Sequence, residues 1–105
     1  AGLLRAVALT EEQFAGEPNF EAIAVASGHT SRTLARLFAA EMGMTWREVL
    51  RRIRIIRAIE ELSTSDKKVT TVALDVGYSS VAAFNSAFRE LTGKTPVEFR
   101  NSLRA

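Results

Sequence analysis

Several kinds of residue are scarce in this sequence, and each scarcity excludes a class of site. None of the 105 residues is cysteine, which excludes disulfide bonds, a thiolate nucleophile and a zinc finger. The single histidine, His29, cannot build a histidine metal site. No run of 18 apolar residues and no signal-peptide pattern is present, which predicts a cytoplasmic protein without a membrane span. We therefore expect neither a metal nor a cofactor.

The net charge is small, but the charged residues are unevenly distributed. The formal net charge is +2; residues 1–30 contain four glutamates and one arginine, and the rest of the chain contains thirteen basic and eight acidic residues. Eleven of the fourteen basic residues are arginine, whose planar guanidinium makes forked contacts with phosphate or guanine. This pattern is compatible with a nucleic-acid ligand and also with an ordinary solvated surface. An apolar content of 47% in a chain of this length predicts one globular domain.

About 27 residues of the sequence occur twice. IAVASG (23–28) aligns with VALDVG (72–77) at an offset of 49. Further matches, at an offset of 50 after one inserted residue, are Leu34, Phe38, Gly43 and TWREV (45–49) in the first copy and Phe84, Phe88, Gly93 and TPVEF (95–99) in the second. Self-similarity of this kind indicates that one supersecondary unit is used twice.

Each copy predicts two helices joined by a tight turn. In the first copy, a helix capped by Asn19 ends at Gly28, and Thr30 caps a second helix that runs to about residue 41. In the second copy, Gly77 lies in the turn and Ser80 is the cap. The residues expected to face inward are Leu34, Leu37 and Phe38 in the first copy and Phe84, Ala87 and Phe88 in the second. This combination is the signature of a helix-turn-helix.

Three further helices complete an all-α fold of about seven helices. TWRE (45–48) is a capping box that opens a linking helix to about Leu62, and TPVE (95–98) opens a short final helix. The linking helix is expected to bury Trp46, Val49, Leu50, Ile53, Ile56, Ile59 and Leu62, and a first helix over residues 3–14 is expected to bury Leu3, Leu4, Val7 and Phe14. These assignments divide the chain into lobe one (about 1–44), the linking helix (45–62) and lobe two (about 66–105).

This order of elements resembles the DNA-binding domain of AraC/XylS-type bacterial transcription regulators. The resemblance is carried by VALDVGYSS (72–80), Phe84, Phe88 and GKTP (93–96) in the second lobe, and by IAVASGHTSRTLARLF (23–38) in the first. It implies a transcription regulator that binds an operator or promoter in double-stranded DNA and is not an enzyme. It also implies contact with RNA polymerase and a separate sensor or dimerisation domain in the full-length protein.

Base readout is predicted for the second helix of each helix-turn-helix, which we call the recognition helix. Arg32 and Arg36 lie four residues apart on the outer side of the first recognition helix, beside Ala35, and each guanidinium can bind guanine O6 and N7. Alternatively, both arginines pair with carboxylates or contact phosphates only. The second recognition helix offers shorter side chains, namely Val81, Ala82, Asn85 and Ser86. The linking helix is long enough for the two to enter successive turns of the major groove.

Phosphate contacts are predicted for helix caps and for basic side chains near them. The candidates are Thr30, Ser31, Thr45, Lys68, Ser79, Ser80, Arg89 and Thr95. Because the second recognition helix has little hydrogen-bonding reach, an open alternative is that lobe two mainly grips the DNA backbone. In that case the half of the DNA site bound by lobe two would be recognised with little sequence specificity.

Two other classes of function compete with DNA binding. A helical protein-interaction module would use the apolar surface of Val81, Ala82 and Ala83 to bind a partner. An enzyme is not expected, because no catalytic triad, phosphate-binding glycine loop or metal-ligand spacing is present. The remaining conspicuous residues have structural interpretations. His29 is a solvent-facing turn residue or a phosphate neighbour, and Trp46 anchors the core. Lys67 and Lys68 form a loose surface charge pair, and Asp75, which has no obvious carboxylate partner or metal cluster, lies on a helix surface.

Overall fold

The computed structural model describes residues 2–104, which form seven α-helices and one π-helical segment. The helices are α1 (Gly2–Gln13), α2 (Phe20–Ala26), α3 (Ser31–Leu37), α4 (Trp46–Thr64), α5 (Val69–Asp75), α6 (Val81–Thr92) and α7 (Pro96–Leu103), and the π-helical segment spans Phe38–Met42. The chain divides into a first unit, Ala1–Arg51, and a second unit, Arg52–Ala105. The predicted all-α fold of about seven helices is confirmed.

The first helix-turn-helix consists of α2, the turn and α3. The Asn19 side chain accepts a hydrogen bond from the amide three residues on, at 2.9 Å, and Thr30 does the same for α3 at 3.1 Å. Gly28 has φ +81°, a left-handed conformation that glycine adopts without a Cβ penalty. The prediction that His29 faces solvent is wrong: the residue is half-buried, and its imidazole lies so close to Gly2 that a Cβ there would clash.

The first recognition helix does not continue as an α-helix to residue 41. It changes at Phe38 into the π-helical segment, which ends at Gly43 with φ +65°. A π-helical turn accommodates one extra residue through i→i+5 bonding. The sequence of this segment consists mostly of good helix formers, so nothing in its pattern separates the two helix types.

The core of the first unit is built around Trp46, which is 8% exposed. Its indole Nε1–H donates to Thr10 Oγ1 at 2.9 Å, and its ring lies against Phe20 with a centroid distance of 5.1 Å. The other buried residues include Ala6, Leu9, Ile23, Ala24, Leu34, Phe38, Val49 and Leu50. The prediction that Trp46 is a core anchor is confirmed.

The predicted inner face of α1 is correct only in part. Leu3, Val7 and Phe14 are half-buried, but Leu4 is 75% exposed, which contradicts its predicted burial. The fully packed positions are Ala6, Leu9 and Thr10. The hydroxyl of Thr10 donates to the Ala6 carbonyl and accepts from an indole, so burial leaves no polar atom of this side chain unsatisfied.

The second unit has a chain of aromatic contacts at its centre. Ring centroids are 5.5 Å apart for Tyr78 and Phe84, 5.8 Å for Phe84 and Phe88, and 5.6 Å for Phe88 and Phe99. Phe84 and Phe88 are fully buried, as predicted for the second recognition helix, α6. The Ser80 cap of α6 is also confirmed, and both predicted capping boxes form, at the starts of α4 and α7.

The predicted apolar stripe of α4 is correct only in part. Trp46, Val49, Leu50 and Leu62 are buried as expected. In the second half of the helix, Ile55 and Ala58 are buried and Ile56 is 56% exposed, which contradicts the predicted burial of Ile56. A single stripe does not describe this helix because the register of its buried positions changes between the two units.

Candidate nucleic-acid interface

The first recognition helix presents two arginines to solvent. Leu34 and Phe38 are fully buried, and Arg32, Ala35 and Arg36, which lie on other faces of the helix, are exposed. Within residues 2–104, neither arginine forms an ion pair or a hydrogen bond through its side chain. The alternative in which both guanidinium groups are neutralised by carboxylates therefore has no support in this structure, and both groups are available to a ligand.

A surface depression joins α3 to the start of α4. It has a volume of about 320 Å³ and is lined by Phe20, Ala35, Ala39, Thr45, Trp46 and Arg47. It brings together Ala35, a predicted base contact, and Thr45, a predicted phosphate contact. It also adds the exposed Arg47, which the sequence analysis did not select because only the fold places it beside the recognition helix. The first unit thus has one exposed arginine, Arg47, at this depression and two more, Arg32 and Arg36, on the helix that supplies Ala35 to it.

The helix caps differ in what their hydroxyl groups can still donate. Thr45 donates its hydroxyl proton to Glu48 at 3.2 Å while it accepts from the Glu48 amide, and Thr30 donates to Thr33 at 3.1 Å. The hydroxyls of Ser80 and Thr95 accept from helix amides at 3.1 Å; the Thr95 hydroxyl also bonds to the Glu98 carboxylate, whereas the Ser80 hydroxyl donates to no group within residues 2–104. Since a phosphate oxygen needs a donor, Ser80 is better placed to contact phosphate than Thr30, Thr45 and Thr95.

The second recognition helix presents a different surface. Ala82, Ser86 and Arg89 are exposed, as is Ser79 ahead of the helix, whereas Val81 and Asn85 are half-buried, and in the first unit Ser31 is half-buried too. The side-chain oxygen of Asn85 is buried and has no hydrogen-bond partner among the described residues. A bidentate contact with adenine uses the amide oxygen as acceptor and the NH₂ as donor. The predicted contact of Asn85 with adenine therefore requires the amide to turn outward from this position.

Side chains of the segment between α4 and α5, residues 65–68, form ion pairs that the sequence did not predict. Lys67 Nζ lies 3.1 Å from Asp75 Oδ2 and 3.5 Å from Glu61 Oε1, so the prediction that Lys67 is a loose surface charge is wrong. Asp75 is exposed on the surface of α5, as predicted. The hydrogen bond to Asp75, with the two nearby carboxylates, raises the pKa of Lys67 above its usual value. Lys68 is exposed and forms no ion pair within residues 2–104.

Two other kinds of site find no support in the described part of the chain. Across residues 2–104 there is no group of three histidine, aspartate or glutamate side chains placed to hold a metal ion. Nor does any helix in this range combine the length and the apolar character that a bilayer crossing needs.

A family model described as a helix-turn-helix domain matches residues 23–102, which include both recognition helices and α4. Regulatory protein SoxS of Salmonella typhimurium is 32% identical over 85 residues, which cover 81% of this chain and 79% of SoxS. The chain belongs to the AraC-type helix-turn-helix family. The transcriptional activator RhaS of Escherichia fergusonii is 34% identical over 100 residues, and the match covers 95% of this chain but only 36% of RhaS.

Solved structures of this family have the same fold. A transcriptional regulator with an AraC-type DNA-binding domain from Chromobacterium violaceum superposes with a TM-score of 0.93 at 29% identity, over 97% of this chain and 91% of that one. The DNA-binding domain of AdpA, crystallised in complex with a target DNA, superposes with a TM-score of 0.89 at 29% identity, over 98% of this chain and 93% of that one. The resemblance noted in the sequence is thereby confirmed.

Proposed function

We propose that this AraC-type protein is a bacterial transcription regulator that binds specific sequences in double-stranded DNA, with α3 as its principal base-reading element. The observation that carries the proposal is the pair Arg32 and Arg36, which are exposed, four residues apart and without ion pairs within residues 2–104. An unpaired guanidinium can bind guanine O6 and N7 without first breaking an internal contact. The AdpA domain, which shares this fold, was crystallised with its target DNA.

In this proposal the second unit contributes α6 to the neighbouring turn of the major groove. The helix that links the two repeats, α4, has 19 residues and is about 28 Å long, comparable with the ~34 Å repeat of duplex DNA. Val81 and Ala82 would contact thymine methyl groups, and Ser86 or a reoriented Asn85 would hydrogen-bond to base edges. Phosphate contacts would come from Arg89 and from Ser80, the cap of α6, whose hydroxyl proton is not already donated.

Two further partners are proposed from the comparison with RhaS: a sensor or dimerisation domain and RNA polymerase. RhaS, of which the matching region makes up 36%, has most of its length outside this module. A sensor or dimerisation domain attached to the present chain would fit the same arrangement. RNA polymerase is the second proposed partner, because the relatives include a protein named as a transcriptional activator.

The test compares two substitutions on a duplex selected from random sequences. Arg36→Ala should lower affinity for the selected duplex by roughly 5- to 150-fold, the equivalent of about 1–3 kcal/mol, and should do so only when the guanine it reads is present. Lys68→Ala should weaken binding by the same factor for every duplex, whatever its sequence, because a phosphate contact carries no sequence information. Equal losses on every sequence for Arg36→Ala would show that this residue is not a base reader.

A further inference from the structure

Arg100, on α7, donates hydrogen bonds to three backbone carbonyl groups. One of them lies in the last turn of α4, and the other two lie in the segment that follows, residues 65–68. Its Nε lies 3.3 Å from the Leu62 carbonyl oxygen, Nη2 lies 3.3 Å from that of Ser65, and Nη1 is also bonded to the carbonyl of Lys67. The last carbonyls of an α-helix have no intrahelical donor, and a cation there also interacts favourably with the helix dipole. One side chain therefore fixes both the end of α4 and the path of the chain beyond it.

These contacts hold the backbone on both sides of Lys68. The carbonyl that precedes Lys68 belongs to Lys67 and accepts from Arg100, and the carbonyl of Lys68 itself accepts from the Val72 amide at 3.0 Å as α5 begins. The neighbouring side chains are also engaged: Lys67 pairs with Asp75, and Asp66 accepts from Arg104 at 2.6 Å. Lys68 is thus the one cation of residues 65–68 whose side chain is exposed and forms no ion pair within the described chain.

We propose that Arg100 is a positioning residue for DNA binding: it fixes the backbone of residues 65–68 so that Lys68 presents its ammonium group to one DNA phosphate. This inference rests on the proposed function. Arg100 itself does not contact the DNA, because its guanidinium is already bonded to protein carbonyls. The fork of the guanidinium is essential, since it reaches three acceptors in different directions, whereas a lysine ammonium is a compact charge on a flexible stem.

A double-mutant cycle between Lys68→Ala and Arg100→Lys tests the proposal. Arg100→Lys keeps the charge, so long-range attraction to DNA is unchanged while the fork is lost. Dissociation constants for the selected duplex are measured as a function of salt for the unsubstituted protein, both single variants and the double variant. In the unsubstituted protein, Lys68→Ala should weaken binding roughly five- to tenfold near 0.1 M salt and reduce the salt slope by about 0.9. In the Arg100→Lys protein, Lys68→Ala should change affinity less than about twofold.

A matched control and a second variant keep the outcome clear. Arg104→Ala removes another basic contact from α7 to the same segment, but that ion pair is exposed, and this substitution should leave the effect of Lys68→Ala intact. Asp66→Lys with Lys68→Asp exchanges the two side chains, which moves the lysine by two positions at constant net charge and leaves Arg100 unchanged. Because the ammonium group then no longer stands at the position that Arg100 fixes, this double variant should bind the duplex at least as weakly as Lys68→Ala, whether or not Arg100→Lys folds well.

Three results would overturn the inference. The first is an equal effect of Lys68→Ala in the unsubstituted protein and in the Arg100→Lys protein. The second is the absence of any effect of Lys68→Ala while the protein still binds its duplex. The third is full recovery of affinity when the lysine stands at position 66. Each of these leaves sequence-specific binding by α3 standing, whereas a protein that binds no duplex would remove the proposed function and this inference together.

Discussion

Thr10→Val removes one hydroxyl group from the core of the first unit and leaves the shape of the side chain almost unchanged. Thr10 is fully buried, and its Oγ1 donates to the Ala6 carbonyl at 2.7 Å and accepts from Trp46 Nε1 at 2.9 Å. Because Trp46 is 8% exposed, its indole N–H has little access to water as a substitute partner. The substitution therefore leaves a buried donor unsatisfied.

The cost follows from two opposing contributions. An unsatisfied buried donor costs about 1–3 kcal/mol, and the added methyl group of valine recovers about 0.8 kcal/mol of apolar burial. The Ala6 carbonyl loses only a second bond, since it lies within α1, where the backbone amide four residues on also bonds to it. We expect Thr10→Val to lower the free energy of unfolding by about 0.2–2 kcal/mol, or up to roughly 15 °C in Tm.

Trp46 is the only tryptophan, so its fluorescence reports unfolding at the site of the substitution. Urea titrations of the unsubstituted protein, Thr10→Val and the control Thr71→Val give the comparison, because Thr71 is exposed on α5 and its substitution should be nearly neutral. In a Trp46→Phe background, which has no indole donor and is followed by circular dichroism because no tryptophan remains, Thr10→Val should cost clearly less. A Thr10→Val protein as stable as the unsubstituted one would refute the account of this buried pair.

Two further substitutions test the local structure. Gly28→Ala should destabilise the protein by about 1–2 kcal/mol because φ is +81°. Gly16→Ala should be neutral or slightly stabilising, because Gly16 has no positive φ and an added Cβ would be in ordinary van der Waals contact with the Gln13 carbonyl oxygen; equal effects of the two substitutions in thermal unfolding would contradict this. Bonds from the Thr95 backbone and hydroxyl lower the pKa of Glu98, so its carboxylate stabilises the fold above the unfolded-state pKa, near 4.5, and this stabilisation is lost as pH falls through the folded-state pKa. Glu98→Gln should therefore be less stable than the unsubstituted protein at pH 7, with the difference vanishing at low pH; a pH-independent difference in urea midpoints would exclude this role.

The sequence contained enough information for the order of the helices and for the residues that cap them, but not for the change to a π-helical segment at Phe38. Short-range chemistry sets these features: Asn19, Thr30 and Ser80 bond to amides three residues away, and Gly28 adopts a positive φ at the turn. Such contacts depend on a few neighbouring residues, so a pattern in the sequence is sufficient to predict them. The internal repeat strengthened the prediction because the same signals occur twice.

Packing between elements was harder to predict. On α1, hydropathy favoured Leu4, but Thr10 is buried because Trp46, 36 positions later, supplies its hydrogen-bond donor. On α4, Ile55 is buried and Ile56 is 56% exposed, although the two residues are equally apolar. A periodic pattern carries no information on a partner that lies far away in the sequence.

In the candidate interface, too, some features could be predicted from local sequence and others depend on tertiary contacts. Arg32 and Arg36 could be selected from helical spacing alone, since they lie on one helix opposite a buried stripe. The placing of Arg47 beside Ala35, the buried amide oxygen of Asn85 and the bonds of Arg100 all depend on tertiary contacts. The three structural features that change the picture of binding most are therefore the three that the sequence did not indicate.

Selection of bound duplexes from a random-sequence pool, at near-physiological salt, tests the central claim most directly. The account predicts enrichment of a defined sequence that contains guanines, and loss of preference at a guanine position when Arg32 or Arg36 is replaced by alanine. Bound duplexes as random in sequence as the starting pool would contradict it and would favour a helical protein-interaction module instead.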